Sequence, residues 1–174
     1  IVEITSGPIA GLSDVRELPP GEIGEILVQS PSATREYFRR TEATAMAKVP
    51  DGTSFWHRMG DVGYLDIQGR LWFCGRKAHR VVTPWGTLFT DMVEPVFNAH
   101  LWPWQRSALV GVTRDGLTYP VLCYEPSKDG ARERTFPEIA QRYDHTRPIS
   151  TFLRYDRLSF PVDVRHNSKI FREK

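Results

Sequence analysis

A chain of 174 residues, 40% hydrophobic and 25% charged, is long enough for one domain or two small ones and has the composition of a packed core rather than of a disordered segment. No apolar stretch approaches the ~20 residues that cross a bilayer as a helix, which excludes a helical span. Cys74 and Cys123 stand far apart with no C-x-x-C pair, which argues against a disulfide framework or a thiolate zinc site and fits a reducing, cytoplasmic setting.

The net charge of +2 hides a division. Residues 1–75 hold 7 Lys/Arg against 10 Asp/Glu, and residues 76–174 hold 16 against 11. The sign changes near Gly75-Arg76, as expected of two bodies with different surfaces. The arginines of the basic half are scattered singly among acids with no aromatic-rich basic motif, which disfavours nucleic acid, and a phosphate-bearing small molecule fits so modest an excess equally well. The chain opens on Ile1 without the basic and apolar start of a signal peptide, and reads as a trimmed fragment.

Ile1 to Pro20 is punctuated by Gly and Pro and predicts extended chain and turns. The later part of Glu22–Ser30 predicts a strand, Thr34–Met46 a short helix, and Pro50-Asp51-Gly52 a turn. Val62–Asp66 and Arg70–Cys74 are β-prone runs around Ile67-Gln68-Gly69, a hairpin pattern. A second hairpin is expected where Val81-Val82 and Thr87-Leu88-Phe89 flank Thr83-Pro84-Trp85-Gly86. Asp91, with Glu94, has the spacing of a capping box opening a helix whose apolar face is Met92, Val93, Val96, Phe97 and Leu101, with Pro95 in or next to its first turn.

Trp102 and Trp104, flanking Pro103, predict a core plug in preference to an exposed contact. Ala108–Val112 and Tyr119–Tyr124 predict strands joined at Arg114-Asp115-Gly116. Thr135 and Glu138 form another capping-box pattern, followed by Phe136, Ile139, Ala140 and Tyr143 at helical spacing. A strand near Phe152–Phe160 precedes a polar tail. The fold class is therefore α+β: a β-rich first part, then a small α+β domain. The five histidines have no metal-ligand spacing, and no metal site is assigned.

Three stretches in one order resemble the adenylate-forming superfamily of acyl-CoA synthetases, luciferases and peptide-synthetase adenylation domains. Gly24-Glu25-Ile26 with Arg35 to Thr44 is similar to that family's strand and its tyrosine-containing segment. His57-Arg58-Met59-Gly60-Asp61-Val62-Gly63-Tyr64-Leu65-Asp66, continuing to Gly69 and Gly75-Arg76, is similar to its "RTGD…GR" block. His166-Asn167-Ser168-Lys169 stands where the family has its terminal lysine motif.

The resemblance implies that residues 1–75 end a distorted-barrel part of a large AMP-binding domain and that 76–174 form a lid-like C-terminal domain. It implies ATP and Mg2+ as cofactors, with the magnesium ligand, the phosphate loop and the rest of the large N-terminal domain outside these residues. Lys169 is placed as the catalytic cation, Asp61 and Arg76 at the ribose, and Arg76, Lys77 and Ala78 at a hinge.

The residue types suit that chemistry. Joining a carboxylate to the α-phosphate of ATP brings two anions together, and a lysine supplies a compact cation with three donors. A pair of unit charges ~4 Å apart at an effective dielectric near 20 interacts by ~4 kcal/mol. A carboxylate such as that of Asp61 accepts from two vicinal hydroxyls at once.

The sequence departs from the family's pattern at Met59, where a threonine is usual, at Ala78, where Asp or Lys is usual, and in the loop after Gly86, which lacks the expected arginine. With these departures, residues 75–81 and 160–170 look like the bacterial olefin-biosynthesis β-lactone synthetases. That likeness implies a long-chain 2-alkyl-3-hydroxy acid substrate, with the acid's own hydroxyl expelling AMP. A fatty acyl-CoA or acyl-AMP ligase, and a non-catalytic interaction module with a borrowed fold, stay open beside it.

Overall fold

The computed structural model describes residues 1–101, 105–126, 133–156, 159–162 and 170–172. The chain divides into two compact units, Ile1–Ala78 and His79–Lys174. Among the described residues the class is α+β with strands predominating.

The first unit is built on one long strand. The strands are β1 (Gly24–Val28), β2 (Lys48–Asp51), β3 (Ser54–Leu65) and β4 (Leu71–Arg76), with a single short helix, α1 (Thr41–Ala47). β3 pairs antiparallel with β1 along one edge, and with β2 and then β4 along the other. This sheet is open and does not close into a barrel among the described residues.

The expected helix over 34–46 is confined to Thr41–Ala47 because Arg39 has a positive φ of 54° and the preceding residues turn. Thr44 Oγ1 then accepts from the Tyr37 amide and donates to the Arg40 carbonyl, closing that turn onto the helix. The β3–β4 hairpin forms as predicted. Gly69 (φ 76°) makes its turn, and the Asp66 carboxylate accepts from the Gln68 and Arg70 amides and from the Trp72 indole. Gly63 admits no side chain, since a Cβ there would run into the Trp72 carbonyl.

The second unit contains the hairpin β5 (Val81–Thr83) and β6 (Gly86–Leu88), α2 (Thr90–Asn98), β7 (Ser107–Arg114), β8 (Leu117–Tyr124), α3 (Phe136–Ala140) and β9 (Thr151–Arg154). β7 and β8 are antiparallel about Asp115-Gly116, both at positive φ as a two-residue I′ turn requires. β9 adds parallel to β8.

Period-two alternation gives this sheet two apolar faces. Leu109 and Leu122 join Val93, Phe97, Phe136 and Ile139 in the main core, where Phe97 and Phe136 meet edge-on at 5.3 Å. Ala108, Val121 and Cys123 face the other way, onto Phe160, Val162 and Ile170.

Neither capping box forms. α2 begins at Thr90 with Phe89 as its cap residue, so Asp91 lies inside the first turn and Pro95 in the second. Glu94 is drawn away to Arg172 and the Leu109 amide. Thr135 is helical and gives no side-chain cap, and α3 stops at Ala140, short of Tyr143. There the buried Thr146 hydroxyl donates to the freed carbonyls of Ala140 and Tyr143. The strand expected near 152–160 is Thr151–Arg154 among the described residues. Trp102 and Trp104 lie outside them.

Candidate nucleotide site

The motif His57 to Asp66 lies wholly on or at the end of β3, and two irregularities decide what it presents. Opposite β1, Glu25 pairs with Val62 while Leu27 pairs with Arg58, so Ile26 alone faces Met59, Gly60 and Asp61. This bulge is turned by Gly60, at φ 70°. Opposite β4, Val62 pairs with Gly75 while Gly63 pairs with Phe73, leaving Cys74 as the extra residue. That one-residue slip brings Arg76 directly across from Asp61.

Two residues fifteen apart in sequence are thereby placed side by side. Asp61 Oδ1 lies 2.8 Å from Arg76 Nη1, with the carboxylate 19% and the guanidinium 60% exposed. The approach lacks hydrogen-bond alignment, and the shielded Oδ1 has no aligned donor. A carboxylate with unused acceptor capacity, beside an exposed cation, is an arrangement that takes a vicinal diol next to an anion. So exposed a pair adds little to stability.

On the neighbouring strand β1, opposite Val62, stands a charged residue quoted within the motifs but given no role there. Glu25 is fully buried, accepting from Arg58 Nε at 3.1 Å and Nη2 at 2.7 Å, and from Lys77 Nζ at 2.8 Å. Arg58 also donates to the Gly7 and Thr5 carbonyls and to the Thr5 hydroxyl. A buried carboxylate is tolerable only when paired in this way. Its consequence is positional: Lys77, the residue after Arg76, is tied to β1, which fixes where the end of β4 lies. One signal was available, a glutamate standing in the strand run Glu25-Ile26-Leu27-Val28, with Arg58 in the motif that lies on β3.

Lys77, Ala78 and His79 form a single 3-10 turn, and the division between the two units falls after Ala78. Lys169 lies outside the described residues. Among those described, no group of three or more His, Cys, Asp or Glu is placed to hold a metal ion. No helix of the described residues is long and apolar enough to cross a membrane. Neither Cys74 nor Cys123 is in a disulfide, and both are buried.

No protein-family model matches the chain. Over 186 aligned residues, which take in all of this chain and 33% of the relative, it is 47% identical to the olefin β-lactone synthetase of Xanthomonas campestris pv. campestris. It is equally identical, over 181 residues and with the same coverage, to the olefin β-lactone synthetase of Stenotrophomonas maltophilia. The chain thus spans about a third of the length of the curated relatives it matches. The O-succinylbenzoate coenzyme A synthetase of Bacillus subtilis, solved in complex with ATP and magnesium ion, superposes with a TM-score of 0.71 at 25% identity. That match covers 100% of this chain and 33% of the solved one.

Proposed function

We propose, taking as premise that this chain has the sequence and fold of adenylate-forming enzymes along its whole length, that it is the C-terminal part of an enzyme that activates a carboxylic acid with ATP. The acid's carboxylate oxygen attacks the α-phosphorus, the bond to the β-phosphate oxygen breaks, and pyrophosphate leaves. In the product reading we favour, the hydroxyl on carbon 3 of a long-chain 2-alkyl-3-hydroxy acid then attacks the acyl carbon. Its proton is lost, AMP departs and a β-lactone closes. Tethering supplies the effective concentration that a separate thiol would otherwise need.

The observation that carries this reading is the cross-strand placement of Asp61 against Arg76. Asp61 accepts from the ribose hydroxyls and Arg76 stands beside the same sugar. Lys169 is the cation that bridges the carboxylate and the α-phosphate as they couple. Arg76, Lys77 and Ala78 form the hinge, with Lys77 held by Glu25 and Ala78 the first residue free to turn. ATP fits an acceptor with spare capacity beside a cation. Mg2+ is held by residues outside these 174, in the large domain whose terminal β-rich part is residues 1–75; residues 76–174 are the small domain that carries the lysine. The partners are therefore ATP, a fatty or hydroxy acid and that remaining domain, in the cytoplasm, and the 174 residues alone are inactive.

A CoA ligase is the second reading, favoured by the likeness to the coenzyme A synthetase. Supplying the complete enzyme with a 3-hydroxy acid and ATP, with and without CoA, separates the two. Lactone formed without thiol supports the first, and strict dependence on CoA removes it. Lys169→Ala is expected to slow acyl-adenylate formation at least ~100-fold with the fold retained. A loss below about fivefold overturns the assignment of Lys169.

A further inference from the structure

We propose that Lys77 is a positioning residue for Arg76: its tie to Glu25 keeps the last rung of the β3–β4 ladder closed, and with it the Asp61–Arg76 pair. The inference rests on the nucleotide reading of that pair and concerns what holds the two residues in register.

The rung Asp61↔Arg76 has weak support along its own ladder. It ends the β3–β4 register, and Lys77 already belongs to the 3-10 turn that follows β4. On its other side the ladder is irregular, with Cys74 as the extra residue and Gly75 at φ 127°. A strand end of this kind opens at little cost unless something else fastens it. The Asp61–Arg76 ion pair is not that fastening, because the guanidinium is largely exposed and so screened by water.

Lys77 supplies the hold. Its Nζ lies 2.8 Å from Glu25 Oε1 and 3.4 Å from the Thr5 carbonyl, with the side chain only 20% exposed. Glu25 does not need this contact for its neutrality. Arg58 already grips both oxygens, Nε on Oε1 and Nη2 on Oε2, a two-pronged pair that joins β1 to β3. Lys77 is therefore a second cation on a carboxylate already compensated, and ordering so long a side chain costs rotamer freedom.

What the contact adds is a link between two places in the sheet. Glu25 stands across from Val62, the residue after Asp61, while Lys77 is the residue after Arg76. Both members of the pair are thus referenced to one buried carboxylate. Removing the ammonium leaves the Glu25–Arg58 pair whole, so the sheet persists while the end of β4 is released. Ribose recognition suffers and the chemical step does not.

The test is ATP–pyrophosphate exchange by the complete enzyme, run with ATP and with the dideoxy analogue that lacks both ribose hydroxyls. The variants are Lys77→Met, Lys77→Arg, Asp61→Ala, Arg76→Ala and the Arg76→Ala/Lys77→Met double change, each checked for folding by near-UV circular dichroism. Lys77→Met should raise the KM for ATP ~5–20-fold while changing kcat less than ~2-fold. For the dideoxy analogue, which offers no vicinal diol, its KM should change less than ~2-fold. Lys77→Arg, which keeps a cation on the tie, should recover most of the affinity for ATP.

In the Arg76→Ala background Lys77→Met should cost less than ~2-fold in KM, because the group it positions is already gone. Equal penalties for ATP and the analogue, equal penalties in both backgrounds, or an unchanged KM for ATP in folded Lys77→Met protein overturn the inference. Should Lys77→Met fail to fold, Lys77→Gln decides by the same criteria. Asp61→Ala with an unchanged KM for ATP defeats the nucleotide reading and this inference together. A large Asp61→Ala effect without the Lys77 pattern defeats this inference alone.

Discussion

The two units place their buried charge differently with respect to the apolar core. In the first, a carboxylate on β1 is buried and compensated within the sheet: Glu25 is fully buried between Arg58 and Lys77, and the buried apolar residues of this unit are few, Val2, Val49, Val62 and Cys74 among them. In the second, the largest core cluster is hydrocarbon and aromatic, with Phe97, Phe136 and Phe152 in mutual contact, and the carboxylates that unit shields, Glu94, Glu125 and Glu133, are not members of it. The first unit sets Asp61 against Arg76 by register within a sheet. The second ties the chain at Arg172 to α2 and β7 through the single carboxylate of Glu94. Buried charge gives orientation at a cost in desolvation, whereas apolar packing gives stability with little direction.

That contrast breaks most readily at Glu25. Glu25→Ala leaves two cations with no counter-charge and should destabilise the first unit by about 3–5 kcal/mol, read from denaturant unfolding. A loss near that of an exposed pair, under ~1 kcal/mol, would show that the triad is not the support of this sheet. In the second unit a comparable position is only a packing site. Ile139→Val should cost about 0.5–1.5 kcal/mol by the same measurement and leave salt dependence unchanged.

The smallest effect concerns the β3–β4 hairpin. The Trp72 indole, followed by the Arg70 and Gln68 groups, holds the Asp66 carboxyl below the ordinary carboxylate range. Because the folded value is depressed, this support is full above the unfolded value, about pH 4, and fades as pH falls through the folded one. The protection factors of the Gln68 and Arg70 amides, exchange corrected for its intrinsic pH dependence, should therefore fall on acidification. In Asp66→Asn they should be low already and change little over that window.

Much of the fold was legible because it is local. Both hairpins and the β7–β8 turn follow from glycine placement and alternation, and α2 from its helical spacing. The capping boxes were not, because the same short polar pattern serves other partners once the chain is folded. Glu94 finds Arg172, seventy-eight residues away, and the end of α3 is held by Thr146, outside the predicted periodicity. The long reach of β3 was missed because glycines at 60 and 63 interrupt its alternation, and these are the positions at which it bulges or approaches Trp72.

The sequence by itself determined an α+β chain of two parts, the order of its motifs, and the residue types suited to a nucleotide and two oxyanions, because turn chemistry and periodicity act over a few residues. Only the tertiary structure decided that Asp61 stands opposite Arg76. That pairing depends on one extra residue at Cys74 in β4, and without it the two strands would be offset by a position. Register in a sheet is set by the sum of contacts along both edges, and no local run of residues contains that sum.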